Sequence, residues 1–182
     1  MSGVGLFSGL TINLRLVPAK AGTGILFKRV DLKNEPTFEA SVDNVCGTPR
    51  CTNLGDGKSI IQSVEHILSA LKAYEIDDLI VEIDGPEIPA GDGSSLVFIE
   101  MIDKGQIVEL EERVPIYTIK SPVYWSKGDV HLVALPCDVF RMSYTLSYPN
   151  HPILSSQFQT LDLTPDSYRT EIAQCRTFSL YE

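Results

Sequence analysis

The stretch from Ser59 to Tyr74 restricts the fold most, because it predicts a helix that must be covered on both faces. At about 100° per residue, one stripe of this helix is apolar and must face a core: Ile60, Val64, Ile67, Leu68 and Leu71. The opposite face holds small uncharged residues and one histidine: Ser59, Gln62, Ser63, His66, Ser69, Ala70 and Ala73. A face that met only water would carry more Lys and Glu. We therefore expect this face to pack on a second domain.

The segments around this helix predict a mixed α+β chain. Apolar and polar residues alternate over residues 10–16, which is typical of a strand with one buried face. Further strands are predicted at 24–28, 38–42 and 78–84, with a turn at 54–58. A second helix is predicted to begin at Ser94 or Ser95 and to run to Lys104, with Gly105 placed to end it in a left-handed conformation.

A rise in charge density at residues 109–115, which read ELEERVP, predicts a domain boundary. We assign residues 1–112 to a first α+β domain and residues 113–182 to a second. The second domain is predicted to contain strands at 115–120, 123–125, 130–135 and 140–146. The Thr164-Pro165 pair predicts a helix from Asp166 to Gln174. The second half thus begins to repeat the order of the first and stops before the repeat is complete.

Composition and charge exclude several classes of function. The 182 residues include 15 basic and 24 acidic side chains, for a formal charge of −9, so binding to nucleic acid is not expected. No run approaches the roughly 18 to 20 apolar residues of a membrane span. The N-terminal residues lack the charged start and the apolar core of a signal peptide. A cytoplasmic protein is expected.

The residues that could carry chemistry are ambiguous by themselves. The four cysteines form no C-x-x-C pair and are expected to be reduced thiols. His66 could be a zinc ligand, but catalytic zinc normally has three protein ligands, and a single histidine is more often a satisfied interface residue. Glu65 could equally be a solvated helix carboxylate. The residues alone leave these interpretations open.

Four segments together resemble one enzyme family. Residues 3–9 (GVGLFSG) resemble its Gly-Val-Gly-Leu-His-Ser-Gly loop, and residues 63–71 (SVEHILSAL) resemble its Thr-Val-Glu-His-Leu helix. Residues 87–94 (EIPAGDGS) are similar to its Glu-Ile-Pro-x-x-Asp-Gly-Ser turn, and residues 175–178 (CRTF) to its Ala-Arg-Thr-Phe segment. The four occur in the same order over nearly the whole chain. The resemblance is to the UDP-3-O-acyl-N-acetylglucosamine deacetylases.

The resemblance implies a fold and an activity. The fold is α+β, with two similar α+β domains in a layered sandwich (ribosomal protein S5 domain 2-like), of which the second is incomplete here. The active site of the family lies between the two domains. The activity is zinc-dependent hydrolysis of the N-acetyl group of UDP-3-O-acyl-N-acetylglucosamine, which releases acetate during lipid A biosynthesis. The implied cofactor is Zn²⁺, and the implied partner is this sugar-nucleotide substrate.

The resemblance also assigns roles to six residues. His66 matches a zinc ligand, and Glu65 matches the general base that acts on zinc-bound water, whose pKa the metal lowers to roughly 7. Thr177 matches a hydroxyl that helps to hold the oxyanion. Three further positions match residues near the substrate: Leu6, Cys51 and Phe178.

Two departures from the family pattern limit what the chain is expected to do alone. Phe7 stands where the family loop has His, so any polar contact from that side chain is lost. The family's other zinc ligands lie in a His-Lys-x-x-Asp motif, and its general acid is a further histidine. All of these follow the Arg-Thr-Phe segment. This chain ends at Glu182, and His131 and His151 have no ligand spacing.

Both ends therefore look truncated, and the 182-residue chain alone is expected to be inactive. The alternative is a non-catalytic short homologue that serves as a sugar-nucleotide or partner-binding module. An unfinished second domain would also leave apolar strand surface uncovered, which favours self-association.

Overall fold

The computed structural model describes residues 1–149, 151 and 153–179, and it divides the chain into two compact units. One unit contains Met1–Val114 and resumes at Tyr168, and the other is Pro115–Ser167. Both the helices and the several small sheets of the model confirm the α+β class. The domain boundary between residues 112 and 113 stays a prediction from the sequence.

The first unit is built from eight strands and two α-helices among its described residues. Their bounds are β1 Ser2–Val4, β2 Thr11–Pro18, β3 Ile25–Arg29, β4 Thr37–Glu39, β5 Val45–Gly47, β6 Asn53–Gly55, β7 Ile60–Ile61, α1 Glu65–Ala73, β8 Leu79–Ile83 and α2 Leu96–Gly105. Five strands form the main sheet in the order β1-β2-β8-β3-β4, in which only the β3–β8 pair is parallel. The short strands β5, β6 and β7 form a second, antiparallel sheet.

The core of this unit lies between one face of the main sheet and the two helices. Alternate side chains of the sheet strands are buried, as expected for a sheet with one covered face, and they include Ile12, Leu14, Phe27, Val81 and Ile83. The helices contact each other and bury their apolar stripes, which include Ile67, Leu71, Phe98, Ile99 and Ile102. Within the described ranges, no helix is both long and apolar enough to cross a bilayer.

The predicted helix over residues 59–74 is wrong in its first turn and a half. Residues 60–61 form β7 against β6, and the helix begins only at Glu65. Ser63 adopts a left-handed backbone with φ of 61°, which no right-handed helix can include. The apolar stripe itself is confirmed at Ile67 and Leu71.

The other predicted elements of this unit agree in type and differ at their ends. Strands are confirmed near 10–16, 24–28 and 78–84, while the strand predicted at 38–42 stops at Glu39, and a 3₁₀ turn follows at Val42–Asn44. The second helix is confirmed, but the left-handed residue after it is Gln106, with φ of 59°, and not Gly105. Gly105 completes the last helical turn, so the left-handed position falls one residue later.

The second unit contains two antiparallel hairpins. Strands β9 (Val123–Lys127) and β10 (Val130–Ala134) form one, and β11 (Arg141–Ser147) and β12 (Ser156–Asp162) form the other. The strands predicted near 123–125, 130–135 and 140–146 are confirmed. The strand predicted at 115–120 is wrong, because these exposed residues have no paired strand in the described part of the chain. The sequence does not indicate strand β12, because its residues, SQFQTLD, are mostly polar.

The helix predicted from Asp166 to Gln174 is present in an altered form. A short α-helical turn, α3 (Pro165–Ser167), leads directly into a π-helix at Tyr168–Ile172. The Ala173 N–H donates to the carbonyl of Tyr168, five residues earlier, at 2.7 Å. The wider turn changes the direction of the side chains that follow, and such turns are frequent at functional sites.

An ion pair at the end of β3 is predicted to make stability depend on pH. The buried Arg29 guanidinium donates to both Asp31 carboxylate oxygens, at 2.8 and 2.7 Å, and to the Ile60 carbonyl at 2.7 Å. The hydrogen bonds from Arg29 hold the pKa of Asp31 below its usual 3.8. A carboxylate with a lowered pKa contributes stability above its unfolded-state pKa of about 4, and this contribution is lost as the pH falls through the folded-state value.

We expect Arg29→Met to lower the free energy of unfolding by about 1–3 kcal/mol at pH 7, because the hydrogen bonds to Asp31 and Ile60 are lost. The difference from the parent protein should shrink at pH 3, because protonation of Asp31 in the unfolded chain, below its pKa of about 4, removes much of the stability that the pair contributes. Urea titrations at the two pH values measure this. An equal difference at both would contradict the assignment.

Candidate active site

Glu65 and His66 lie side by side in the first turn of α1, and both are half-buried. One carboxylate oxygen of Glu65 accepts a hydrogen bond from the Thr52 N–H at 3.0 Å. The Val64 N–H donates to the Thr52 carbonyl at 3.3 Å, so the chain at residues 51–53 runs along the start of the helix. The positive end of the helix dipole also favours a negative charge at Glu65.

Cys51 is brought next to this helix start by the same contact. Its thiol is buried and lies 3.2 Å from the side-chain oxygen of Asn53, which is also buried. The four cysteines are all free thiols, as expected. The structure therefore places Cys51 beside Thr52, the backbone partner of Glu65.

The loop at residues 5–9 is held by Glu87, a fully buried carboxylate. Glu87 accepts the Phe7 N–H at 2.9 Å and the Ser8 N–H at 2.8 Å, and the Ser63 hydroxyl lies 3.5 Å away. A Cβ at Gly5 would collide with the same carboxylate, so the close approach requires glycine. The loop is thus fixed to the molecule through its backbone.

The side chains of this loop point away from that attachment. Leu6 is 62% exposed and Phe7 is 50% exposed. Because Phe7 is held by its N–H, the change from the family's His to Phe alters a solvent-facing side chain and keeps the anchor of the loop.

Thr177 lies beside the turn at Asp92–Ser94. Its N–H donates to the Gly93 carbonyl at 2.9 Å, and the Arg176 guanidinium lies 3.4 Å from the Asp92 carboxylate. The hydroxyl and N–H of Ser94 lower the pKa of Asp92, and the charge of Arg176 adds to the effect. Thr177 is exposed, as is its neighbour Phe178.

All four sequence segments of the resemblance meet at residues 87–94. Gly93 binds the segment with Thr177, and Glu87 binds the 5–9 loop. Gln62, just before the 63–71 segment, forms an isolated β-bridge with Glu87, and the Ser63 hydroxyl lies 3.5 Å from the Glu87 carboxylate. The sequence marks Glu87 only as the first residue of the 87–94 turn that resembles the family, and it indicates no role for the carboxylate.

The described residues do not form a metal centre by themselves. Catalytic zinc normally takes three protein ligands, yet no group of three or more His, Cys, Asp or Glu side chains among the described residues could hold a metal. His131 and His151 lie in the second unit, where their Nδ1 atoms bond the Ser126 hydroxyl and the Leu154 N–H at 2.8 and 3.2 Å.

Comparison with known proteins identifies the family. The model of the UDP-3-O-acyl N-acetylglycosamine deacetylases (LpxC) matches residues 1–182. Relatives named UDP-3-O-acyl-N-acetylglucosamine deacetylase are 45% identical in Chlamydia caviae, 44% in Chlamydia felis and 41% in Chlamydia trachomatis serovar D, each over 99% of this chain.

The chain spans 63–64% of the length of these relatives. The family-model match nevertheless covers every residue, and the identity to each relative exceeds 40%. The chain therefore belongs to the UDP-3-O-acyl-N-acetylglucosamine deacetylase family.

Proposed function

We propose that this chain forms part of a zinc-dependent deacetylase that removes the N-acetyl group of UDP-3-O-acyl-N-acetylglucosamine and releases acetate in lipid A biosynthesis. The observation that carries the proposal is the pairing of Glu65 and His66 in the first turn of α1, with Thr52 fixing the carboxylate. The names of the relatives support the substrate.

Glu65 would act as the general base. One of its oxygens accepts the Thr52 N–H, and within the described residues the other oxygen has no hydrogen-bond partner. One oxygen thus orients the carboxylate while the other remains available to take a proton, which is the arrangement that general-base catalysis requires. Thr177 would supply a hydroxyl to the oxyanion that develops on the acetyl carbonyl.

Zinc would be held by His66 together with ligands from outside the described residues. A zinc ion in such a site acts as a Lewis acid and makes hydroxide available at neutral pH. The Nδ1 or Nε2 atom of His66 would bind the metal, which requires the neutral imidazole.

The finer features implied by the family are part of the same proposal. We propose the two-domain layered sandwich as the complete fold and the cytoplasm as the site of action. Leu6 and Phe178 would contact the substrate, since both are exposed, and Cys51 would lie near it. Self-association through residues 113–182 stays a prediction, which the many exposed apolar side chains of the two hairpins support.

The test is deacetylation by the full-length gene product. The purified protein is incubated with UDP-3-O-acyl-N-acetylglucosamine, and the free amine and acetate are measured by mass spectrometry. We expect turnover that a chelator stops and added Zn²⁺ restores, because the hydrolysis depends on the metal. A zinc-loaded protein that binds the sugar nucleotide and releases no acetate would contradict the proposal and would identify a binding module instead.

A further inference from the structure

The segment 168–177, which ends at Thr177, is attached to both helices of the first unit through Tyr168. The Tyr168 side chain is 2% exposed, and its hydroxyl donates to the Ser95 hydroxyl at 2.7 Å. The same hydroxyl lies 2.7 Å from that of Ser69 on α1. Ser95 directly precedes α2, so a single phenol joins the two helices.

These contacts extend into a chain of hydroxyls with backbone carbonyls at both ends. Ser69 donates to the carbonyl of His66 at 2.8 Å, and Ser95 lies 3.4 Å from the carbonyl of Ala173. Three hydroxyls have three protons for these four contacts, so at any moment one of the four contacts has no proton. Such networks are strengthened by a low-dielectric surrounding, and both Tyr168 and Ser95 are buried.

The two ends of this series of hydroxyl contacts lie at or near the two parts of the candidate active site. One end is the peptide carbonyl of His66, the candidate zinc ligand. The other is Ala173, four residues before Thr177, whose N–H is bonded to Gly93 at 2.9 Å. Tyr168 is the first residue of the π-helix Tyr168–Ile172 and the one residue of it that is buried, and the segment continues from there towards Thr177.

A second attachment of the same segment lies away from this chain. Arg169 donates to the Tyr74 hydroxyl at 2.9 and 2.6 Å and pairs with Asp103 at 2.6 Å. This contact also holds the segment on the helices, but it reaches neither Ser69 nor Ser95. It therefore provides a matched control for the contact made by Tyr168.

We propose that Tyr168 is a positioning residue, whose hydroxyl fixes the separation between the His66 turn of α1 and the segment that carries Thr177. The inference rests on the proposed function of His66 and Thr177. Misplacement of reacting groups by about 1 Å can reduce turnover by up to about 100-fold. The loss of one hydroxyl contact is expected to lie below that limit.

The experiment compares Tyr168→Phe and Tyr74→Phe in the full-length protein. We expect Tyr168→Phe to lower kcat about 10-fold with KM and zinc content unchanged, and Tyr74→Phe to leave kcat within about twofold. In a Thr177→Val background, Tyr168→Phe should cause no further loss of kcat. Tyr168 acts by positioning the Thr177 hydroxyl, and that hydroxyl is already absent from this background. An equal loss of kcat in both backgrounds, or no loss in either, would overturn the proposal.

Two further measurements separate this inference from the proposed function. Deacetylation by the parent protein tests the function alone. Amide NMR signals of His66 and Thr177 test the position without activity: both should shift in Tyr168→Phe and neither in Tyr74→Phe. If Tyr168→Phe does not fold, Ser95→Ala, which removes the acceptor of the phenol, should give the same pattern. Unshifted signals in the folded variant would refute the positioning role.

Discussion

Replacing Glu65 with Gln is expected to abolish most of the proposed deacetylation without reducing the zinc content of the full-length protein. The Gln side-chain oxygen can still accept the Thr52 N–H, which Glu65 accepts at 3.0 Å, so the start of α1 is preserved. The amide cannot take a proton from the nucleophile at neutral pH. Loss of a general base typically lowers kcat by about 10²–10⁴-fold, and we expect a decrease in this range with little change in KM.

His66→Ala is expected to act differently, because it removes the proposed zinc ligand. Zinc content should fall well below one ion per chain, and activity should fall with it. Metal analysis and kcat are measured on Glu65→Gln, His66→Ala and a control, Lys72→Ala, which changes an exposed residue near the end of the same helix. The control should match the parent protein. Equal loss of zinc in the Glu65 and His66 variants would show that Glu65 is itself a ligand.

Glu87→Ala is expected to have the largest effect on stability. The substitution removes a fully buried carboxylate and leaves the N–H groups of Phe7 and Ser8 without an acceptor. Charge-assisted hydrogen bonds contribute about 1.5–3 kcal/mol each, and an unsatisfied buried group adds its desolvation cost. Removal of the anion also relieves the cost of burying it. We expect a net loss of about 2–4 kcal/mol in the free energy of unfolding.

Urea titration measures this loss, and hydrogen exchange locates it. The amides of Phe7 and Ser8 should lose protection in Glu87→Ala. In Glu87→Gln the loss of stability should be smaller, because one acceptor oxygen remains for the two N–H groups. Some loss should persist, because the NH₂ group of Gln faces an N–H donor and cannot accept from it. Glu100→Ala, an exposed glutamate of α2, is the control and should stay within about 0.5 kcal/mol. Unchanged protection at Phe7 and Ser8 would contradict the anchoring role.

The helix at residues 59–74 shows how far local pattern predicts this fold. The periodic stripe correctly indicates that Ile67 and Leu71 face the core. It fails at Ile60 and Ile61, because two adjacent apolar residues suit a short buried strand as well as a helix. The deciding feature is the left-handed backbone of Ser63, which no propensity of serine indicates.

The candidate site was predictable in its parts and not in its connections. Resemblance singled out Glu65, His66 and Thr177, whose surroundings the structure now describes. The residues that join the segments, Glu87 and Tyr168, act over 73 to 99 positions in the sequence. Glu87 begins the 87–94 motif and Tyr168 lies in none of the four segments, but neither position indicates this role in the sequence. Each bond depends on where the sheet and helices bring the chain.

The discontinuous first unit has a consequence for the order of assembly during synthesis. A ribosome adds roughly 5–20 residues per second, N-terminus first, so the sheet, α1 and α2 emerge before the segment that begins at Tyr168. Until that segment is made, Ser95 lacks its hydrogen bonds with Tyr168 and Ala173, and the surface that buries these two residues is uncovered by them. This later segment is also the part that brings Thr177 to Gly93. The nascent chain thus contains Glu65 and His66, the candidate general base and candidate zinc ligand, well before it contains Thr177.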